Sequence, residues 1–161
     1  MQKKSVIIYF SLIFIIFLFI GYYYYSKSLI TEESINEFIE KENLNQVSIQ
    51  KLSNKEYYLF SPSQIYIYRG PDGYTKSPTS NIKNILIGGL QKGSVGLIVK
   101  NNEVLNQGRT YLVEIDGKSR EYEYSGEKYL IIKDFRIWNP VPQIKIKFLN
   151  DQEEVIFETE Y

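Results

Sequence analysis

The chain changes its hydrophobic period along its length. From Val6 to Ile20 every one of fifteen residues except Ser11 is apolar, about 22 Å of helix. Gly21 and Tyr22 to Tyr25 extend the run to twenty residues, about the 30 Å thickness of a bilayer interior. The run has no polar face, so it predicts a helix in lipid rather than one packed on a protein core. Lys3 and Lys4 precede it and Lys27 follows. Basic residues on the N-terminal side predict an N-terminus inside the membrane and the rest outside, and the tyrosines suit an interfacial belt. A cleaved signal peptide would want small residues before the cut, and Ser26-Lys27-Ser28 serves poorly. The expectation is therefore an uncleaved single-pass anchor over residues 6–25.

Between Ser28 and Leu44 the period becomes helical. Thr31 suits an N-cap, with Glu32 and Glu33 in the first turn where carboxylates favour the helix dipole. Ile35, Phe38 and Ile39 form one narrow apolar stripe, which predicts a short helix lying on a sheet. After Gln46 the period falls to two. Val47/Ile49, Tyr58/Phe60, Ile65/Ile67, Ile85/Ile87 and Val95/Leu97/Val99 alternate with other residues. About ten short strands are predicted, separated by turn signals such as Pro71-Asp-Gly73, Asp116-Gly117 and Asn150-Asp151.

Two hairpins can be set in register. Pairing Ile115 with Arg120, Val113 with Tyr122 and Tyr111 with Tyr124 collects the bulky groups on one face. A two-residue Asp116-Gly117 turn would instead pair Ile115 with Lys118 and bring Arg120 among them, so patterning favours the first register. In the last hairpin, patterning sets Phe148 opposite Val155, Ile146 opposite Phe157 and Lys145 opposite Glu158. The expected fold is thus one N-terminal transmembrane helix followed by a mainly-β (α+β) extracytoplasmic domain. Its C-terminal half is a small β-sandwich for which an Ig-like arrangement is one option, without the Cys…Trp…Cys signature. The expected division is 1–27 for the cytoplasmic tip and anchor, 28–92 for the helix and first strands, and 93–161 for the sandwich-like region, with 28–161 as a single domain the alternative.

Composition then narrows the chemistry. The chain has 161 residues with neither cysteine nor histidine. Disulfides, thiol nucleophiles, His-dependent triads and the commonest metal ligands are excluded. Alanine is also absent while Ile, Asn and Lys abound, a codon bias that discounts the 15 tyrosines as a binding signal. Nineteen basic and nineteen acidic residues cancel, and setting aside Lys3, Lys4 and Lys27 leaves the remainder at about −3. No basic field for nucleic acid is present.

Four features remain as candidate chemistry. The first register places Glu114 opposite Glu121 with Glu123 next along that face, a set that could act as acid and base or hold a divalent ion; a lysine from a neighbouring strand is the ordinary alternative. The segment Gly88 to Gly96 could cradle an anion on its amides with Lys92 and Ser94, although Lys-Gly-Ser before a strand is not a phosphate loop. Trp138 with Phe135, Tyr66, Tyr68 and Tyr74 could form an aromatic platform for glycan or peptide. Ser-x-x-Lys at Ser48/Lys51, Ser80/Lys83 and Ser125/Lys128 falls in predicted strands and turns, not on the helix such catalysis needs. No catalytic, metal or cofactor-binding residue is assigned. Glu114, Glu121, Glu123, Trp138, Lys92 and Ser94 are the candidate ligand or interaction surface. The expected function is a membrane-anchored binding or interaction protein of the bacterial cell envelope, with a protein or cell-wall ligand as partner. A carboxylate-dependent envelope enzyme and an accessory subunit of a membrane complex are the alternatives.

Overall fold

A computed structural model describes residues 13–23, 30–71, 73–137 and 143–160. Residues 13–23 are helical. Among the described residues no helix is long and apolar enough to cross a membrane, which corrects the expected transmembrane element. Residues 1–12 and 24–27 of the expected tip and anchor lie outside the described residues.

The first helix of the body, α1 (Glu32–Lys41), starts as its sequence dictates. The Thr31 hydroxyl accepts from the Ser34 backbone N–H and the Ser34 hydroxyl accepts from the Thr31 N–H, both at 3.2 Å. Four strands follow as a meander in the order β1 (Ser48–Ser53), β2 (Glu56–Phe60), β3 (Ile65–Tyr68) and β4 (Tyr74–Ser77), here called sheet A. Pro78 then carries the chain into sheet B, ordered β10-β7-β6-β5 from β5 (Thr79–Ile82), β6 (Ile85–Gln91), β7 (Ser94–Val99) and β10 (Tyr129–Lys133). Sheet C runs β12-β11-β8-β9, from β8 (Thr110–Ile115), β9 (Lys118–Glu123), β11 (Ile144–Leu149) and β12 (Val155–Glu160). All pairs are antiparallel. A one-and-a-half-turn helix, α2 (Asn102–Gln107), links β7 to β8. Its Asn101 cap accepts from the Glu103 and Val104 N–H groups, and Val104 enters the core.

The layers stack as helix, sheet A, sheet B, sheet C, with three apolar cores between them. Ile35 and Phe38 of α1 pack on Leu59, Tyr66 and Tyr68. The opposite parity of the same strands, Tyr58, Phe60, Ile65 and Ile67, meets Leu86 and Ile98 of sheet B. On the other side of sheet B, Ile85, Ile87, Val95, Leu97 and Val99 meet Tyr111, Val113, Ile115, Ile144, Ile146 and Phe148 of sheet C. The period-two pattern of β6 and β7 is therefore apolar at both parities, as a sheet covered on both faces requires. The mainly-β content and the helix-on-sheet packing match expectation. The two-sheet Ig-like option does not: three four-stranded sheets stack, and sheet B recruits β5 and β6 from before residue 93. The expected boundary at 92/93 falls inside the β6–β7 hairpin, so the segments on either side share one sheet.

Both worked registers also differ from expectation. Ile115 pairs with Lys118, Val113 with Arg120 and Tyr111 with Tyr122. Asp116 and Gly117 both take positive φ, 51° and 72°, the two-residue hairpin geometry that matches strand twist. Arg120 does share the face of the core residues, but β9 is an edge strand and the guanidinium reaches past the core. In the last hairpin a bulge between Phe148 and Leu149 shifts the ladder, so that Phe148 faces Phe157 and Ile146 faces Thr159. Val155 is exposed as a result.

The A–B contact depends on two glycines. A Cβ on Gly96 would lie 3.0 Å from Tyr58 Cε1, and one on Gly89 would lie 2.5 Å from it. The notch they leave takes the Tyr58 ring. Its hydroxyl donates to the Gly89 carbonyl at 2.5 Å and lies 3.0 Å from Ser94 Oγ. Burial pushes the Tyr58 phenol up to about 12, with the Ser94 hydrogen bond acting against it. Gly89→Ala meets both the ring and a φ of +66°, so a loss of about 2–4 kcal/mol is expected. Tyr58→Phe, which leaves only buried polar groups without their partner, should lose about 1–3 kcal/mol. Urea unfolding of both variants measures the difference, and a neutral Gly89→Ala would exclude this packing.

Candidate interaction face

Residues directly opposite in a ladder share a face, so the registers fix what sheet C presents outward. β12 contributes Glu158 and Glu160, β11 contributes Lys145 and Lys147, β8 contributes Leu112 and Glu114, and β9 contributes Ser119, Glu121 and Glu123. Acid, base and acid thus follow one another across the sheet. Lys145 pairs with Glu158, and Lys147 Nζ lies 3.9 Å from Glu114 Oε2. Pairs this exposed are screened by solvent and add little to stability. Their effect is on the pattern of potential across the face rather than on stability. Beside them a shallow depression of about 210 Å³ is lined by Glu114, Asp116, Gly117, Gln143, Lys145 and Glu160.

The candidate carboxylates therefore share one face but do not converge. Glu114 stands opposite Ser119 and Glu121 opposite Leu112, not opposite each other. A lysine from the neighbouring strand approaches Glu114, the ordinary alternative for such a trio. Among the described residues no group of three or more acids is placed to hold a metal ion.

The glycine-rich segment is occupied with its own fold. It forms the β6–β7 hairpin, bulged between Gly88 and Gln91. Ser94 is 1% exposed and its hydroxyl meets Tyr58. The Gly89 N–H donates to the Ser77 hydroxyl and the Gly93 N–H to the Ile137 carbonyl. Lys92 sits in the hairpin turn between β6 and β7. The proposed aromatic platform is divided. Tyr66, Tyr68 and Tyr74 surround Phe38 beneath α1, with ring centroids 5.6, 5.0 and 4.7 Å from it. Phe135 lies at the β9 edge, and Trp138 lies outside the described residues.

A cluster that the sequence did not single out holds the β9 edge in place. The Asp134 carboxylate is buried and receives hydrogen bonds from Arg136 Nε at 3.0 Å, Arg136 Nη2 at 2.6 Å and the Tyr122 hydroxyl at 3.0 Å. Arg136 also donates to the carbonyls of Lys118 and Val113, which ties the segment after β10 to the β8–β9 hairpin. Arg120 Nη1 stands 3.9 Å from Asp134, and its guanidinium is 4.7 Å from the centre of the Phe135 ring. Phe135 is 71% exposed. Burial alone would raise the Asp134 carboxyl, but the donors from Arg136 and Tyr122 outweigh it and hold it down at about 2. The signal available in the sequence was the Asp-Phe-Arg spacing, which puts both charges on one side of a short turn.

Comparison with protein-family models, with curated proteins and with solved structures finds no match.

Removing one partner of the buried pair leaves the other charge uncompensated, so Asp134→Ala should lose about 3–5 kcal/mol in denaturant unfolding. The acid dependence has a defined sign. A carboxyl whose folded pKa lies below its unfolded value near 3.9 stabilises fully above about pH 4 and loses that contribution as pH falls towards 2. The stability of Asp134→Asn should fall less over that window than that of the unaltered chain. Equal slopes would remove Asp134 from the acid response.

Proposed function

We propose that this chain is a binding or interaction protein of the cell envelope whose working surface is the outer face and edge of sheet C. The observation that carries this reading is the placement of its polar chemistry. The spaces between the sheets are filled by apolar side chains, while acids and lysines line an open, alternately charged sheet face. Such a face favours complementary partners and discriminates against wrong ones through charge. The carboxylate-dependent enzyme has less support, because Glu114 stands on β8 opposite Ser119 while Glu121 and Glu123 follow along β9, an arrangement that does not close around a common point.

The envelope location belongs to the same proposal. Eight successive side chains, Ile13 to Ile20, are large, apolar and exposed around the helix, and contact with lipid would remove them from water. Residues 6–25 would supply that contact, with the β-rich body on the outer side and a protein or cell-wall component as ligand.

Two measurements test the reading. Purified full-length chain should be retained on isolated cell-envelope material, and Glu121→Lys with Glu123→Lys should weaken retention roughly tenfold. Undiminished retention of that pair would show that sheet C is not the surface. Co-sedimentation with phospholipid vesicles should be lost in Phe14→Asp with Phe17→Asp, and vesicle binding by that variant would exclude the lipid contact.

A further inference from the structure

We propose that the open edge of β9 takes up an extended peptide by antiparallel strand addition, and that it selects a peptide with lysine or arginine at alternate positions on the side continuous with the outer face of sheet C. This rests on the interaction reading above and names its partner chemistry.

The backbone phase supports it. Residues flanking a two-residue turn exchange hydrogen bonds across the hairpin, and Ile115 and Lys118 flank the Asp116-Gly117 turn. The Tyr124 N–H donates to the Arg109 carbonyl at 2.7 Å. Even-numbered positions of β9 therefore bond inward to β8, and the N–H and C=O groups of Ser119, Glu121 and Glu123 point away from it. Among the described residues no strand pairs on that side. An edge of this kind is a template for another strand.

The molecule shows the charge code by example. In β11, Lys145 and Lys147 sit between the acids of β12 on one side and Glu114 of β8 on the other. Glu121 and Glu123 offer an incoming strand the same acidic flank. A second copy joined through either edge of sheet C does not match it. Two β9 strands joined antiparallel with continuous faces set Glu121 against Glu121, Arg120 against Arg120 or Arg120 against Lys118. Joining β9 to β12 of another copy runs Glu121 and Glu123 along Glu158 and Glu160. Like charges directly opposite oppose both arrangements. On the inner side the incoming strand meets Lys118, Arg120 and Tyr122, with exposed Phe135 beside them, so an acid or an apolar residue suits the intervening positions. The strand is already held by Tyr122 on Asp134 and Arg136 on Lys118, which reduces what must be ordered on binding.

The probe is acetyl-Lys-Val-Lys-Glu-Thr-Glu-amide, titrated into the full-length chain labelled with nitrogen-15. The amides of Ser119, Glu121 and Glu123 should shift more than their inward-bonded neighbours. N-methylation of the third peptide residue, whose N–H faces β9, should weaken binding roughly tenfold, while N-methylation of the fourth should leave it unchanged. Glu121→Lys should move the preference to acetyl-Lys-Val-Glu-Glu-Thr-Glu-amide, in which only the residue opposite position 121 is exchanged. Equal effects of the two N-methylations, or no shift at those three amides with millimolar peptide, would overturn the proposal. Because the peptide variants leave the protein unaltered, a misfolded mutant cannot produce either result. Retention on envelope material without binding of the probe would overturn this edge while leaving the interaction reading in place.

Discussion

Everything in the body leans on sheet B being covered on both faces. A strand apolar at both parities is insoluble until two partners arrive, so sheets A and C are conditions for its existence. The closest approach is made by Tyr58, which fills the notch left by Gly89 and Gly96 and anchors its hydroxyl on the strand it covers. A large aromatic facing two glycines is one of the few ways to bring sheets this close without leaving a void, because protein interiors tolerate neither gaps nor overlap at this scale. The polar end of the ring is satisfied by Ser94 and the Gly89 carbonyl, as a buried phenol requires. What reads along the chain as a flexible glycine loop is thus a packing device.

How far the fold was legible depended on whether one signal or two acted on a segment. In α1 the cap, the first-turn acids and the stripe of Ile35 and Phe38 agreed, and the helix starts and faces as read. The alternating strands were likewise legible as strands. Register was lost where local turn chemistry competed with patterning. At Asp116-Gly117 the turn won, because the cost of Arg120 on the apolar side vanishes at an edge where the guanidinium can reach Asp134 and Phe135. At the last hairpin a bulge, which no alternation can reveal, displaced the ladder and left Val155 outside. The α2 helix was missed because six residues hold too little periodicity; only Asn101 as a cap marked it.

The candidate surface was legible in part for the same reason. The glutamates were found on one face, since parity survives a shift of two residues in register. Their opposition was not, since pairing does not survive it. Lys145 and Lys147 belong to a strand that pairs with β8 only in space, and no local pattern connects Glu114 to a lysine more than thirty positions away. The Asp134–Arg136 clamp is local in sequence, yet its partner Tyr122 is brought by the hairpin it stabilises.

The hydrogen bond from Gln50 Nε2 to the Tyr129 carbonyl, 2.8 Å long and 79 residues apart in sequence, carries a different kind of consequence. It joins the first strand of sheet A to the outer strand of sheet B, which comes after β5, β6 and β7 along the chain. The β8–β11 pairing likewise spans the whole of β9 and β10. Closing such loops before any contact rewards them slows the search. Assembly of this body therefore belongs to the slow class of small domains, roughly milliseconds to seconds. A newly made chain spends that interval with the apolar strands of sheet B uncovered.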